Sequence, residues 1–402
     1  GKYVVNGGIA LWTLLNLYER TQYLGQSLGD FADGKLSIPE QGNGVSDLLD
    51  EARWELEFLM RMQVPEGQPL AGMVHHKIHD GSWTMLGHTP PEYGDNRGLH
   101  PPSTAATLNL AATAAQGARV FAQIDPAFSY ECRRAAARAW NAAHQHPKMF
   151  ASPMDKNGGG PYDDRDVSDE FYWAAAELFV TTGEARLQQY LLKNAHFVSA
   201  HETVEHERVK TWTSMTWQAT ASLGTISLAV VPNALGPEAV KAARRAIVTA
   251  ADKYLALVEG SGFRVPMHAS SNGHYPWGSN SCVLNNAIIL ALAADFTGEK
   301  RYLQGVSEAM DYLLGRNPLG FSYVTGYGEH SFENPHHRFW AHQRCHRCPE
   351  PPPGAVAGGP NSRTPDPISK RVSGNPPQKC YVDHVDAYGV NEVAINWNAP
   401  LA

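Results

Sequence analysis

The stretch 381–398 carries the chain's densest chemistry: Tyr381, Asp383, His384, Asp386, Tyr388, Asn391, Glu392, Asn396, Trp397 and Asn398. Acidic, amide and aromatic side chains crowd the start of a short apolar run whose spacing predicts a helix over 390–399. Glu392, near the N-terminus of such a helix, is pulled two ways. The helix dipole favours its carboxylate, whereas an apolar wall favours the protonated acid. If the wall wins, Glu392 keeps a proton near neutral pH and can act as a general acid on a bridging acetal oxygen. If the dipole wins, Glu392 is a charge that steadies a helix end. Spacing alone leaves both open.

Three other groups could do chemistry. His336, His337 and Arg338 stand together, a rigid guanidinium fork beside imidazoles that can donate or accept. Such a run is also compatible with a solvated loop or a metal ligand, and His337 reads as a packing or loop-bonding residue. Asp163, Asp164, Asp166, Asp169 and Glu170 cluster before a predicted helix. They offer the hard oxygens that calcium takes, with Asp163, Asp166, Asp169 and Glu170 as expected ligands. Capping and charging that helix is the alternative. His342, Cys345, His346 and Cys348 have zinc-ligand spacing. A disulfide from Cys380 to Cys345 or Cys348 is the favoured rival, and exposed thiols are a third reading. Five cysteines, an odd and sparse set, make no disulfide framework, and Cys132 and Cys282 read as inert core thiols.

The order aromatic-x-Asp-x4-aromatic-x3-Glu-x-Ala-x3-Asn-Ala is met at Tyr381, Asp383, Tyr388, Glu392, Ala394, Asn398 and Ala399. In this the chain resembles glycoside hydrolase family 9 at every fixed position of its C-terminal signature. The segment Ser322 to His330, followed by Pro335, His336, His337 and Arg338, looks like that family's histidine motif. His330 departs from the usual Asn, Lys or Arg. Gly1 to Gly8, Leu48 to Glu55, Met73 to Lys77 and Pro101 to Ala106 also read like bacterial members, in a branch that often carries an immunoglobulin-like domain before the catalytic module.

The resemblance implies an inverting endo-β-1,4-glucanase that needs no cofactor for its chemistry, with Glu392 as proton donor and Asp383 as a second active-site residue. It implies that His336 and Arg338 bind sugar at the cleavage point and that Trp277, before Gly278, is a stacking platform. A core Trp at a helix entry is the other reading of Trp277. Tyr388 joins these as a substrate-binding candidate, as do His75, His76 and Arg97 in a long loop. Structural calcium is implied near Asp169; zinc is left open. The family's catalytic base lies in an Asp-Ala-Gly-Asp-x-Gly-Lys-Tyr motif, and the chain opens at its Gly1-Lys2-Tyr3. The base is therefore expected upstream of Gly1. An impaired or non-catalytic glucan-binding fragment is the alternative reading.

The elements that must position these residues are helical. Apolar spacing predicts helices over 2–23, 45–63, 103–123, 129–144, 168–182, 185–199, 216–231, 237–259, 279–297, 300–315 and 390–399. Ser46 and Ser168 are expected as caps, Pro237 as a first-turn residue, and Gly183 and Gly298 as stops. Little period-two alternation marks strands. Long segments at 65–102 and 319–387 read as functional loops. This predicts one all-α domain over 1–402, an (α/α)6 barrel of paired helices with its cleft built from loops at one end. Thirty-three Lys and Arg against 40 Asp and Glu, a net charge of −7, argue against nucleic acid as a partner. No apolar run approaching a membrane span is evident. A polymeric β-1,4-glucan such as cellulose, met outside the cell by a monomer, is the expected partner.

Overall fold

The computed structural model describes residues 1–88 and 97–402. Chain contacts gather these residues into two compact units. The first comprises Gly1–Gly81, Arg97–Ala200 and Trp217–Arg244; the second comprises Ser82–Asn96, His201–Thr216 and Arg245–Ala402.

The first unit is built on α1 (Val4–Leu24), α2 (Asp47–Arg61), α3 (Thr104–Val120), α4 (Pro126–Gln145), α5 (Ser168–Thr182), α6 (Ala185–Lys193) and α7 (Ala221–Val230). α3 is buried from Thr104 to Ala118, so its Ala-rich sequence meets neighbours on every side rather than along one stripe. It packs on α1, α2, α4 and α5. Arg119 at its end is held between Glu19 of α1 and Glu177 of α5, with Nη2 2.6 Å from Glu177 Oε2. Glu177 also accepts from the Trp12 and Trp173 indoles and from Ser227, so one buried carboxylate ties α1, α5 and α7. A buried, paired charge cluster of this kind strongly constrains its elements, because removing one member strands the others.

Short strands absent from the helical prediction line this unit. β1 (Lys2–Tyr3), β3 (Lys77–Asp80) and β4 (Arg97–Leu99) form an antiparallel sheet in the order β1-β3-β4, while β2 (Val74–His75) pairs with β5 (Pro102–Ser103). β2, β3 and β4 fall within the predicted loop 65–102 and β5 at its end, while β1 replaces the start of the helix predicted over 2–23. Strands of two to four residues are too short to show alternation, which is why the sequence pattern missed them.

The helix α8 (Pro237–Gly260) carries the division between the units at Arg244. In the second unit, α9 (Ser279–Thr297) and α10 (Lys300–Leu313) pack together. Their core includes Tyr312, Tyr323, Phe332 and Tyr381, all buried. β6 (Val204–His206) and β7 (Val209–Thr211) form a hairpin whose two turn residues, Glu207 and Arg208, have φ of 48° and 67°. That is the left-handed geometry that two-residue hairpin turns require. α9 is long and apolar enough to cross a membrane by length and composition, against the sequence expectation, but 72% of that stretch is buried inside the protein.

Helix ends correct several details. Gly183 and Gly298 close α5 and α9 in left-handed conformation, and α8 starts at Pro237, as expected. Ser168 does not cap α5; its hydroxyl meets His196 Nε2 instead. Ser46 flanks α2, but its side chain donates to the Phe31 carbonyl rather than capping. The predicted helix 390–399 is broken into α11 (Tyr388–Asn391) and α12 (Ile395–Asn398), with Glu392 between them.

Candidate active site

Glu392 has extended backbone, φ −66° and ψ 155°, and pairs with neighbours rather than continuing a helix. Its carbonyl accepts from Gly358 N at 2.9 Å, and it bridges in parallel to His336, whose amide donates to Asn391 O at 2.9 Å. The break in the helix thus sets the acid beside the histidine motif. It also removes Glu392 from a helix N-terminus, so the dipole that would favour its carboxylate does not act there.

The side chain meets the other half of the requirement. Glu392 Oε2 accepts from the Trp277 indole N–H at 3.2 Å. Burial pushes the Glu392 carboxyl up to about 7, opposed by the Arg338 charge and the Trp277 hydrogen bond. The residue keeps some exposed surface while its carboxyl is largely desolvated. An acid so placed is partly protonated at neutral pH, the state a proton donor needs.

His336 donates from Nδ1 to the Val385 carbonyl at 2.6 Å, which leaves Nε2 to accept from Arg338 Nη1 at 3.0 Å. Burial, aided by the Arg338 charge, pulls the His336 pKa down, so the ring is neutral. Arg338 Nε also donates to the Thr84 carbonyl. Trp277 and Tyr388 stack at 6.1 Å and 28°, and the His336 ring lies 5.8 Å from that of Tyr388. Glu392, His336, Arg338, Trp277 and Tyr388 are therefore one constellation.

Asp383 belongs to it differently. Its two oxygens accept from the amides of Glu333 and Asn334, from the Asn334 side chain and from Asn391 Nδ2, at 2.9–3.1 Å. It pins the loop before Pro335 and His336 to the residue before Glu392, so its geometry is that of a positioning residue. His337 stacks on Trp340 at 4.1 Å and accepts from two backbone amides, the packing role expected of it.

Sequence reasoning passed over two supports. Asn391 is buried, accepts from the Tyr381 hydroxyl at 2.6 Å and donates to Asp383 and to the Asn334 carbonyl. Its place directly before Glu392 was the available signal. Asp366 accepts from Gly389 N at 3.0 Å and caps the turn at Ser369. Nothing in its spacing marks it. Trp397 fills the space over Gly278, where an added Cβ would lie 2.7 Å from the indole nitrogen.

His75 and Arg97 lie in the first unit. His75 Nδ1 donates to the His100 carbonyl at 2.6 Å, and Arg97 pairs with Asp80 at 3.3 Å. His76 is a buried structural residue, bonded to Ser103 and the Pro161 carbonyl.

The acidic cluster differs from the expected ligand set. Asp166 is exposed and accepts from Ser168 N, while Asp163 is only half-buried. The buried members are Asp164, Asp169 and Glu170, so Asp164 replaces Asp163 and Asp166 at the centre. Both Glu170 oxygens and Asp164 Oδ2 are buried without a hydrogen-bond donor. Desolvation and mutual repulsion hold Glu170 well above the usual carboxylate range and push Asp164 up to about 7. Buried carboxyl oxygens without donors are costly, and a hard cation is one partner that would satisfy them.

No disulfide joins the five cysteines, which corrects the expected Cys380 link. Cys380 is buried with its thiol toward the Val372 and Asn375 carbonyls. Cys345 and Cys348 lie instead against Gly87.

A model described as glycosyl hydrolase family 9 matches residues 1–402, and the chain belongs to that family. Its fold class is accordingly the all-α barrel of paired helices, (α/α)6. The chain is 50% identical to a cellulose 1,4-beta-cellobiosidase of Acetivibrio thermocellus, across 100% of this chain and 47% of that protein. It is 46% identical to endoglucanase C of Cellulomonas fimi, across 100% of this chain and 36% of that one. The chain thus spans less than half the length of these curated relatives. Among solved structures it is similar to the family 9 endoglucanase J30, with a TM-score of 0.85 and 32% identity, covering 100% of this chain and 70% of that one.

Proposed function

We propose that this chain is the catalytic module of an inverting endo-β-1,4-glucanase acting on cellulose or a related β-1,4-glucan outside the cell, as a monomer. The observation that carries the reading is a desolvated Glu392 carboxyl, bonded to Trp277 and flanked by the neutral His336–Arg338 pair. The relatives named cellobiosidase and endoglucanase support the substrate class.

Glu392 gives its proton to the bridging oxygen as the bond from that oxygen to the anomeric carbon breaks. Water attacks the anomeric carbon from the opposite face and loses its proton to a general base, so the new hemiacetal is inverted. His336 and Arg338 hold sugar hydroxyls, and Trp277 and Tyr388 give an apolar surface for a pyranose face. Asp383 acts through the loops it pins. An inverting site places the base, a second carboxylate, about 6.5–9.5 Å from the acid. No cofactor enters the chemistry. His75 and Arg97 are proposed as further sugar contacts. Asp164, Asp169 and Glu170 are proposed to hold a structural calcium ion, which would neutralise their buried charge.

Glu392→Gln tests the proton donor. Hydrolysis of cello-oligosaccharides should fall by about 10²–10⁴. Cleavage of an aryl cellobioside whose phenol leaves without a proton should fall far less. Equal losses on both substrates would remove Glu392 from the role.

A further inference from the structure

The first unit holds a cluster that the proposed hydrolysis does not use. His79, in β3, lies opposite Gly98 of β4, and His100 follows that strand directly. The two imidazoles are 4.1 Å apart between centroids, and Asp155 reaches them from a separate turn. One donor atom from each of His79, His100 and Asp155 lies within 4.8 Å of the others. Asp155 Oδ2 is 2.6 Å from His100 Nδ1.

The state of His79 makes this more than proximity. The ring is 3% exposed. Its Nδ1 is 2.7 Å from the Asp80 carbonyl, which can only accept, so Nδ1 carries the hydrogen. Nε2 is then a bare lone pair, and it is buried with no hydrogen-bond partner. The ring lies under Gly158 and Gly159, where a Cβ on Gly159 would come within 3.1 Å of Nε2. An imidazole fixed through Nδ1–H to a backbone carbonyl, with Nε2 open, is the form in which histidine ligates metals.

Charge narrows the choice of ion. Lys77 is wholly buried, donates to the Asp155 and Gly160 carbonyls and stands 3.4 Å from Asp155 Oδ2. Its ammonium balances the one carboxylate present. Two nitrogens and a neutralised oxygen suit a borderline divalent ion, and offer little to calcium, which needs more oxygen ligands. We propose that His79, His100 and Asp155 form a binding site for a divalent transition-metal ion of the zinc class, separate from the acidic cluster around Glu170.

The test is zinc binding to the metal-stripped chain, read by calorimetry and metal analysis, with cobalt as a spectroscopic substitute. The expected result is one equivalent of zinc bound and a raised Tm. Cobalt should show d–d bands without the thiolate charge-transfer absorption that cysteine ligation gives. His79→Gln and, separately, Asp155→Asn should each weaken binding by at least about tenfold, with circular dichroism reporting an intact fold. The Cys345→Ser/Cys348→Ser double variant should bind as tightly as the unaltered chain. Zinc binding that survives both His79→Gln and Asp155→Asn in folded protein, binding lost only with the cysteines, or no binding at all would each overturn the proposal.

Discussion

Two opposing influences meet on one carboxyl. Burial lifts the Glu392 pKa, and Arg338 and the Trp277 indole pull it back, leaving it at about 7. Trp277→Phe keeps an aromatic ring but removes the hydrogen bond that favours the ionised form. The basic limb of kcat/KM should therefore move to higher pH in that variant, as a pH–rate profile of cello-oligosaccharide hydrolysis would show. A shift to lower pH would mean that the indole does not favour the anion. Most of this constellation was legible in sequence, because Glu392, His336, Arg338, Trp277 and Tyr388 are all brought together. Asp383 was legible as a member but not in its manner of acting, since three of its four hydrogen bonds come from Glu333 and Asn334, remote in sequence. Asn391 and Asp366 act through partners set by the fold, side chains and backbone alike, which residue type does not advertise. The burial of Asp164, which makes it a candidate ligand, was not legible because burial within an acidic run depends on how the turn folds.

The central element is the break between α11 and α12. Apolar spacing over 390–399 could not disclose it, because the break is made by partners elsewhere: Gly358 N on the Glu392 carbonyl and His336 N on the Asn391 carbonyl. The boundaries of α5 and α9, whose stops are local glycines, matched those expected. Trp397 of α12 packs over Gly278, which has φ 72° at the entry to α9 directly after Trp277. Gly278→Ala adds a Cβ in an unfavourable backbone region and against an indole. It should destabilise the chain by about 1–3 kcal/mol and lower turnover, because Trp277 and α12 both shift. Chemical denaturation with parallel kinetics checks this, and unchanged stability would contradict the close approach.

For the whole molecule, composition excluded more than it specified: net charge argued against nucleic acid, and helical spacing supplied the fold class. The two-unit grouping and the short strands came from long-range pairing, to which local pattern is blind. The buried Asp164–Asp169–Glu170 group, proposed to hold calcium, ties stability to pH. Asp164, pushed up to about 7, is favoured protonated by the fold. Its contribution to stability is full below the unfolded value of about 3.9 and is lost as pH rises through about 7. Metal-free chain should therefore lose Tm between about pH 4 and 7, calcium should reverse much of that loss, and Asp164→Asn should flatten the slope. A Tm indifferent to calcium throughout would remove the ion from the account. The central claim, that Glu392 holds its proton to near neutrality, is tested most directly by titrating that carboxyl itself, through infrared difference spectra between the unaltered chain and Glu392→Gln. The account predicts a midpoint near pH 7; a midpoint near the ordinary glutamate value of about 4.3 would contradict it.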